Sequence, residues 1–261
     1  MVTRNAHGER TFAGFGGGHG SAEFADCLAA PAAATAAAAR APWLVQGTLG
    51  LACPESARSH RELAAAAAGG GGTRLLDVNW RPVFWNWKSD SNWEAAAQRE
   101  ILDFAEGADV VKLTDDEAEW LLGVPQRTAL VDPAAVRRRL PGVKAVLVTG
   151  GERGASYDVL GHCGAAPPFQ VNSVETTGAG DAFTAGFVSR MLDFDFKGSG
   201  GGVGGALALT GEARAVVDAA VRFASACGAL TCCGEGAVAA QPTAAQVMEF
   251  LWSHNEAQQP V

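Results

Sequence analysis

Apolar and polar positions follow two different periods along this chain. Short apolar runs of strand length recur at Trp43–Thr48, Arg74–Val78, Asp109–Leu113 and Val143–Val148, bounded by small or polar residues, and they read as strands. Between them, apolar residues fall at helical spacing over Glu55–Ala68, Trp93–Glu106, Asp115–Leu122 and Pro133–Leu140. Gly123 is suited to end the third of these helices and Pro133 to open the fourth. Further on, Ala155–Leu160 and Pro167–Val171 read as an antiparallel pair, and Gly178–Leu192, Gly211–Leu230 and Thr243–His254 as helices. Repeated strand–helix alternation predicts an α/β fold, a mostly parallel sheet with helices on both faces. Ligands of such sheets bind beyond the carboxyl ends of the strands. The segments after Val78, Lys112 and Val148, and the turn into the helix at Gly178, are therefore the places to look for chemistry.

Three stretches break the pattern. Gly14–Gly20, Ala29–Ala41 and Gly198–Gly205 are low in complexity and are expected to be loops or insertions without a single conformation. Gly69–Gly72 reads as a turn after a helix. Gly200, Gly202 and Gly205 satisfy Gly-x-Gly-x-x-Gly, but they follow no apolar strand and carry little weight as a dinucleotide site.

Composition narrows the field. Of 261 residues, 48% are hydrophobic and 18% charged, enough apolar content for a packed core. The net charge of −8 argues against nonspecific nucleic-acid binding, which needs a positive field. The longest apolar stretch, Leu28–Val45, is mostly alanine and broken by Pro31, Arg40 and Pro42, too weak for a membrane span. No signal pattern opens the chain, so an intracellular compartment is expected. The six cysteines form no Cys-x-x-Cys pair, and buried free thiols are a better reading than a zinc site.

The sharpest chemistry lies in Val174–Phe183, VETTGAGDAF. Small residues ahead of an amphipathic run let a tight turn present backbone N–H groups at a helix N-terminus, an anion site aided by the helix dipole. Asp181 in the first helical turn could accept a proton from a hydroxyl, or merely complement the dipole. On the pattern alone the two readings stand about level. No Walker sequence is present, which disfavours a P-loop enzyme.

Thr176–Phe183 resembles the C-terminal signature of the pfkB (ribokinase-like) carbohydrate kinases. Other segments follow in that family's order: DVNWRP at Asp77–Pro82 resembles its Asp-x-Asn-x-Arg segment, KLTDDE at Lys112–Glu117 stands at its Asn-x-x-Glu motif, and VTGGERGA at Val148–Ala155 resembles its nucleotide-binding strand end. Arg4–Phe12 resembles a lid strand of the fructokinase-like members. The resemblance implies a three-layer ribokinase-like fold with a partial β lid, formed as one domain over 1–261. Residues 1–25 would be a lid remnant and glycine-rich loop, and 29–41 and 198–205 insertions.

The resemblance also implies roles. Asp181 would be the catalytic base, with the amides of Gly178, Ala179 and Gly180 as anion hole. Glu117 would act near Mg²⁺ through water. Thr149, Gly151, Gly154, Ala226, Gly228 and Ala229 would bind ATP, and Asn79 and Arg81 would face phosphate or sugar. Read without the family, Glu117 and Arg81 are surface charges, Gly151 and Gly154 form a turn, and Ala226–Ala229 pack helices. The tryptophans at 80, 85, 87 and 93 read as packing rather than a sugar platform, and Arg137–Arg139 as a solvated face.

The implied activity is transfer of the γ-phosphate of ATP to a sugar hydroxyl, with a homodimer through the lid, a monovalent cation beside the turn, and cytoplasm or plastid stroma as compartment. Two positions depart from the pattern: Glu175 replaces the usual Asp, and Thr114 the usual Asn. The family's opening strand with its substrate Asp and its Gly-Gly segment has no counterpart here, so most sugar contacts are expected to be missing. A noncatalytic plastid protein acting through partners is the alternative the resemblance carries.

Overall fold

The computed structural model describes residues 2–4, 10–12, 30–85, 92–194, 196 and 209–256. The glycine-rich stretches at 14–20 and 198–205, with Gly200, Gly202 and Gly205, lie outside them, as do most of residues 1–25.

Strands β1 (Val2–Arg4) and β2 (Arg10–Phe12) form an antiparallel two-stranded sheet. A six-stranded sheet holds the rest: β3 (Trp43–Gly47), β4 (Thr73–Asp77), β5 (Val110–Thr114), β6 (Ala145–Thr149), β7 (Ala155–Val159) and β8 (His162–Ala166), in that spatial order. The first four run parallel and the last two turn antiparallel. The helices are α1 (Ala32–Ala38), α2 (Pro54–Gly69), α3 (Trp93–Ala105), α4 (Asp115–Leu122), α5 (Gln126–Val131), α6 (Pro133–Arg138), α7 (Ala179–Met191), α8 (Gly211–Thr231) and α9 (Ala244–Glu256).

The two-residue period of the strands sorts their side chains into two cores. Leu76, Val78, Val111, Leu113, Val146 and Val148 face one side, where they meet Ile101 and Phe104 of α3, Leu121 of α4 and Val136 of α6. Leu75, Val110, Ala145 and Leu147 face the other, against Phe187 and Met191 of α7 and Val217 and Val221 of α8. Trp43 closes that second core edge-on to Phe187 (6.4 Å) and Phe196 (5.5 Å). The result is the expected three-layer arrangement, and every polar residue at a strand's carboxyl end inherits a known face from its parity.

Local capping follows the sequence. The Thr114 hydroxyl accepts the Glu117 N–H to open α4, Gly123 closes it in the left-handed region (φ 65°), and Asp132 and Thr210 cap α6 and α8. Several expectations change, and the thiols are not all buried, since Cys163 and Cys233 are exposed. The partner of β7 is His162–Ala166, not Pro167–Val171, because Leu160 (φ 52°) and Gly161 (φ 84°) form a two-residue turn that returns the chain at once, while Pro167 and Pro168 have no N–H for a ladder. Residues 32–38, within the low-complexity stretch 29–41, form α1, as alanine's helix preference allows. Helix α5 was not legible in its six residues. Arg137 is not simply solvated: its Nε donates to the buried Asp158 carboxylate at 2.6 Å.

Candidate active site

Asp77 ends β4 and pairs in parallel register with Lys112 of β5. By parity both side chains share the face of Leu75 and Val110, which α7 covers. Both are buried, at 6% and 4% exposure. The Lys112 ammonium donates to both Asp77 oxygens at 3.1 Å, and the Thr184 hydroxyl of α7 donates to Asp77 Oδ2, also at 3.1 Å. A buried ion pair survives only with such geometry and added hydrogen bonds, because desolvation costs several kcal/mol per ion.

On the opposite parity, Glu117 of α4 ties two strand ends together. Its Oε2 accepts the Thr114 N–H (2.7 Å) and its Oε1 the Trp80 N–H (2.6 Å). Burial pushes its carboxyl above the ordinary range, against the pull of Lys112 and these two hydrogen bonds. Between the two pairs the chain turns through Asn79, held at φ 40°, a conformation asparagine tolerates better than most residues. Arg81 Nη1 donates to the Trp80 carbonyl at 2.8 Å. Trp80 stacks on Trp120 at 3.9 Å and lies near-parallel to Trp93 at 6.2 Å, so these rings pack against one another.

The turn into α7 faces these strand ends. Gly178 adopts φ 79°, and a Cβ there would lie 2.6 Å from the Ala237 carbonyl oxygen. Both its conformation and its surroundings exclude a side chain. Of the expected donors, the Ala179 N–H is taken by the Thr176 carbonyl at 3.3 Å, whereas the amides of Gly180 and Asp181, among the orphan donors of a helix start, make no backbone hydrogen bond among the described residues. Thr177 Oγ1 is buried with no partner among them. Asp181 itself is exposed. Lys112 Nζ lies 3.0 Å from where a Gly180 Cβ would stand, and a Gly228 Cβ on α8 would lie 3.1 Å from the Ala179 carbonyl oxygen. Strand ends, α7 turn and α8 thus meet at one point.

The remaining predicted positions surround it. Thr149 ends β6, in register with Thr114. Gly151 and Gly154 bound the turn that follows, and Arg153 within it is ion-paired with the buried Asp115 at the start of α4. Ala226 is fully buried among Ala182, Phe223 and Val247, whereas Ala229 is half-buried. Beside the last turn of α8, a cleft of about 440 Å³ is lined by apolar Leu230, Pro242 and Phe250 together with polar Gln246, Glu249 and Ser253. The loop that supplies Ala239 to Pro242 also approaches Gly178 at Ala237.

Sequence reasoning missed Asp77, Lys112 and Thr184 as site residues. Strand parity was the available signal: a Lys and an Asp on the face that α7 must cover cannot both be surface charges. The orphan amides, the unpartnered Thr177 hydroxyl and the nearby ammonium together fit an anionic group. Glu117 fits a water-mediated role toward Mg²⁺, since each of its oxygens takes one N–H and retains a further acceptor position. Among the described residues no three His, Cys, Asp or Glu side chains gather closely enough to hold a metal directly.

Residues 1–244 match the pfkB family carbohydrate kinase. Fructokinase-1 of Zea mays is 31% identical over 67% of this chain and 47% of its own length, and Fructokinase-2 of Solanum lycopersicum is 34% identical over 61% and 44%. The chain spans about half the length of the curated relatives it matches. Among solved structures, a fructokinase from Vibrio cholerae, bound to fructose, ADP and calcium ion, superposes with a TM-score of 0.64 at 26% identity over 81% of this chain and 61% of that one. A fructokinase from Xylella fastidiosa with bound ATP shares the fold at a TM-score of 0.66 and 22% identity, over 84% and 64%.

Proposed function

The chain belongs to the pfkB family of carbohydrate kinases, and within that family we propose that it transfers the γ-phosphate of ATP to a hydroxyl of a fructose-like sugar. The observation that carries this reading is the α7 turn. Its Gly180 and Asp181 amides make no backbone hydrogen bond among the described residues, the buried Lys112 ammonium stands beside Gly180, and the Asp181 that follows is exposed.

The Asp181 carboxylate takes the proton of the attacking hydroxyl, whose oxygen bonds to the γ-phosphorus as the bond to the bridging oxygen breaks and ADP leaves. The amides of Gly180 and Asp181 donate to the charge spread over the transferred group, where preorganised donors count most. Gly178 lets the backbone come close enough to do so. The cleft at Leu230 and Pro242 takes the base, with the small residues Gly228 and Ala229 alongside, and Thr149 and the Gly151–Gly154 turn border the phosphates. Asn79 and Arg81 approach from the β4 end toward phosphate or sugar. Magnesium, when bound, neutralises the phosphate oxygens, and Glu117 would hold it through water. Glu175, wholly buried, accepts the Gly236 N–H at 3.2 Å. It is the residue through which a monovalent cation would steady the turn.

The test is ADP release from ATP and Mg²⁺ by this chain across a panel of sugars including fructose and ribose. Asp181→Asn should cut turnover by about 10²–10⁴, the usual range for a general base, with ATP affinity little changed. Undiminished turnover in that variant would overturn the assignment. A folded chain that binds ATP but phosphorylates no sugar is the result expected of a noncatalytic member acting through partners.

A further inference from the structure

We infer that Asp77, Lys112 and Thr184 form a positioning unit that fixes the phosphate-facing turn of α7 and makes it select a triphosphate over a diphosphate. This rests on the nucleotide-binding part of the reading above.

Gly180 and Thr184 are one helical turn apart, on the same face of α7. Lys112 Nζ stands against Gly180, 3.0 Å from its would-be Cβ, and the Asp77 carboxylate is held by Thr184 at 3.1 Å. The helix therefore lands on the ion pair with its positive end at the helix start and its negative end one turn later. The dipole of the pair runs parallel to that of α7 and adds to the positive potential at the orphan amides. Asp181 follows Gly180 and turns about a quarter-circle away from the landing face, which leaves its carboxylate exposed. Two of the three ammonium N–H groups are taken by Asp77, and the third has no partner among the described residues. A buried donor left in that state carries a cost, and here it stands beside the turn that would receive the γ-phosphate.

Stability alone does not account for the arrangement. Apolar replacements of buried ion pairs are often neutral or stabilising, and a glycine in a first turn gives up helix propensity. Both features make sense if the charge order along the α7 face is what matters.

The experiment measures Mg·ATP and Mg·ADP dissociation constants by calorimetry, with melting temperatures, for the full chain, Lys112→Met, and the double variant Asp77→Asn/Lys112→Met. Lys112→Met should lose both stability and ATP preference. The double variant should recover melting temperature, because no unpaired charge stays buried, yet its ATP-over-ADP preference should remain about tenfold below wild type, the scale of one partly buried charge at a helix end. A merely structural role would restore the ratio together with the melting temperature, and that result overturns the proposal. If neither lysine variant folds, Thr184→Val carries the test: it leaves the charges and removes the anchor, and an unchanged ratio overturns the proposal. If the wild type binds ATP with this pattern but turns over no sugar, the kinase reading fails alone. If it binds neither nucleotide, both fail.

Discussion

Replacing Thr184 separates the hydrogen bond to Asp77 from the packing of α7. Thr184 is 5% exposed and its hydroxyl meets a carboxylate that is 6% exposed. Valine keeps the branched shape and a similar helix propensity, so Thr184→Val removes little besides one hydrogen bond to a charged group, a loss of about 1.5–3 kcal/mol. Serine keeps the hydroxyl and loses one buried methyl, about 1 kcal/mol with its small cavity. The order of stability is therefore wild type, then Thr184→Ser, then Thr184→Val. A loss of about 2 kcal/mol corresponds to a fall of about 4–8 °C in melting temperature for a chain of this size. Urea unfolding followed by tryptophan fluorescence reads the same order as midpoints at constant slope. Thr184→Val as stable as Thr184→Ser, or more so, would refute the claim that the hydroxyl rather than the methyl holds α7 on the strand ends.

Two further outcomes test other parts of the molecule. Asp218 on α8 accepts hydrogen bonds from Tyr157 and from the His162 ring, both at 2.5 Å. Partial burial pushes its carboxyl up, but these partners more than offset that and hold it below the ordinary range. A depressed carboxyl contributes stability above its unfolded range and loses it as pH falls through its lowered folded-state range, so Asp218→Asn should lower the melting temperature at neutral pH and converge with wild type as the pH drops below that range; a deficit independent of pH would refute the linkage. Burial pushes the Cys227 thiol up to about 11, whereas Cys233 is exposed. Alkylation of the native chain at pH 8 with iodoacetamide, read by peptide mass spectrometry, should modify Cys233 well before Cys227, and equal rates would show that α8 opens readily.

Sequence pattern carried much of this structure because each parallel strand is buried on both faces. Runs such as Val110–Leu113 and Ala145–Val148 are then nearly continuous in apolar residues and stand out from the helices between them. The Gly178 turn was legible for a different reason, since close backbone approach leaves small residues behind in the sequence. What failed to show was tertiary in origin. The position of β8 was hidden because Leu160 supplies the left-handed turn conformation normally given by glycine or asparagine, and α1 because an alanine run carries no amphipathic period. Lys112 and Asp77 were visible as motif letters but not as a pair, because their contact arises only when β4 and β5 come into register 35 residues apart.

That pair also explains why the motifs occur together. Asp77 and Asn79 lie on one segment, Lys112 and Glu117 on the next, and Thr184 one helical turn after Gly180 on a third. Lys112 joins Asp77 on the α7 side of the sheet, and Glu117 joins the Trp80 N–H on the other. The β4 end is therefore clamped from both faces, and the turn through Asn79 has little freedom to move. A change at any one of these positions should reach the α7 turn, because Lys112 stands close beside Gly180 while Glu117 holds the Trp80 N–H. Single substitutions at Asp77, Lys112 or Glu117 should then be non-additive with one another, as expected for residues in one hydrogen-bonded network, whereas Tyr157 and Asp218, which share no partner with them, should combine with each independently.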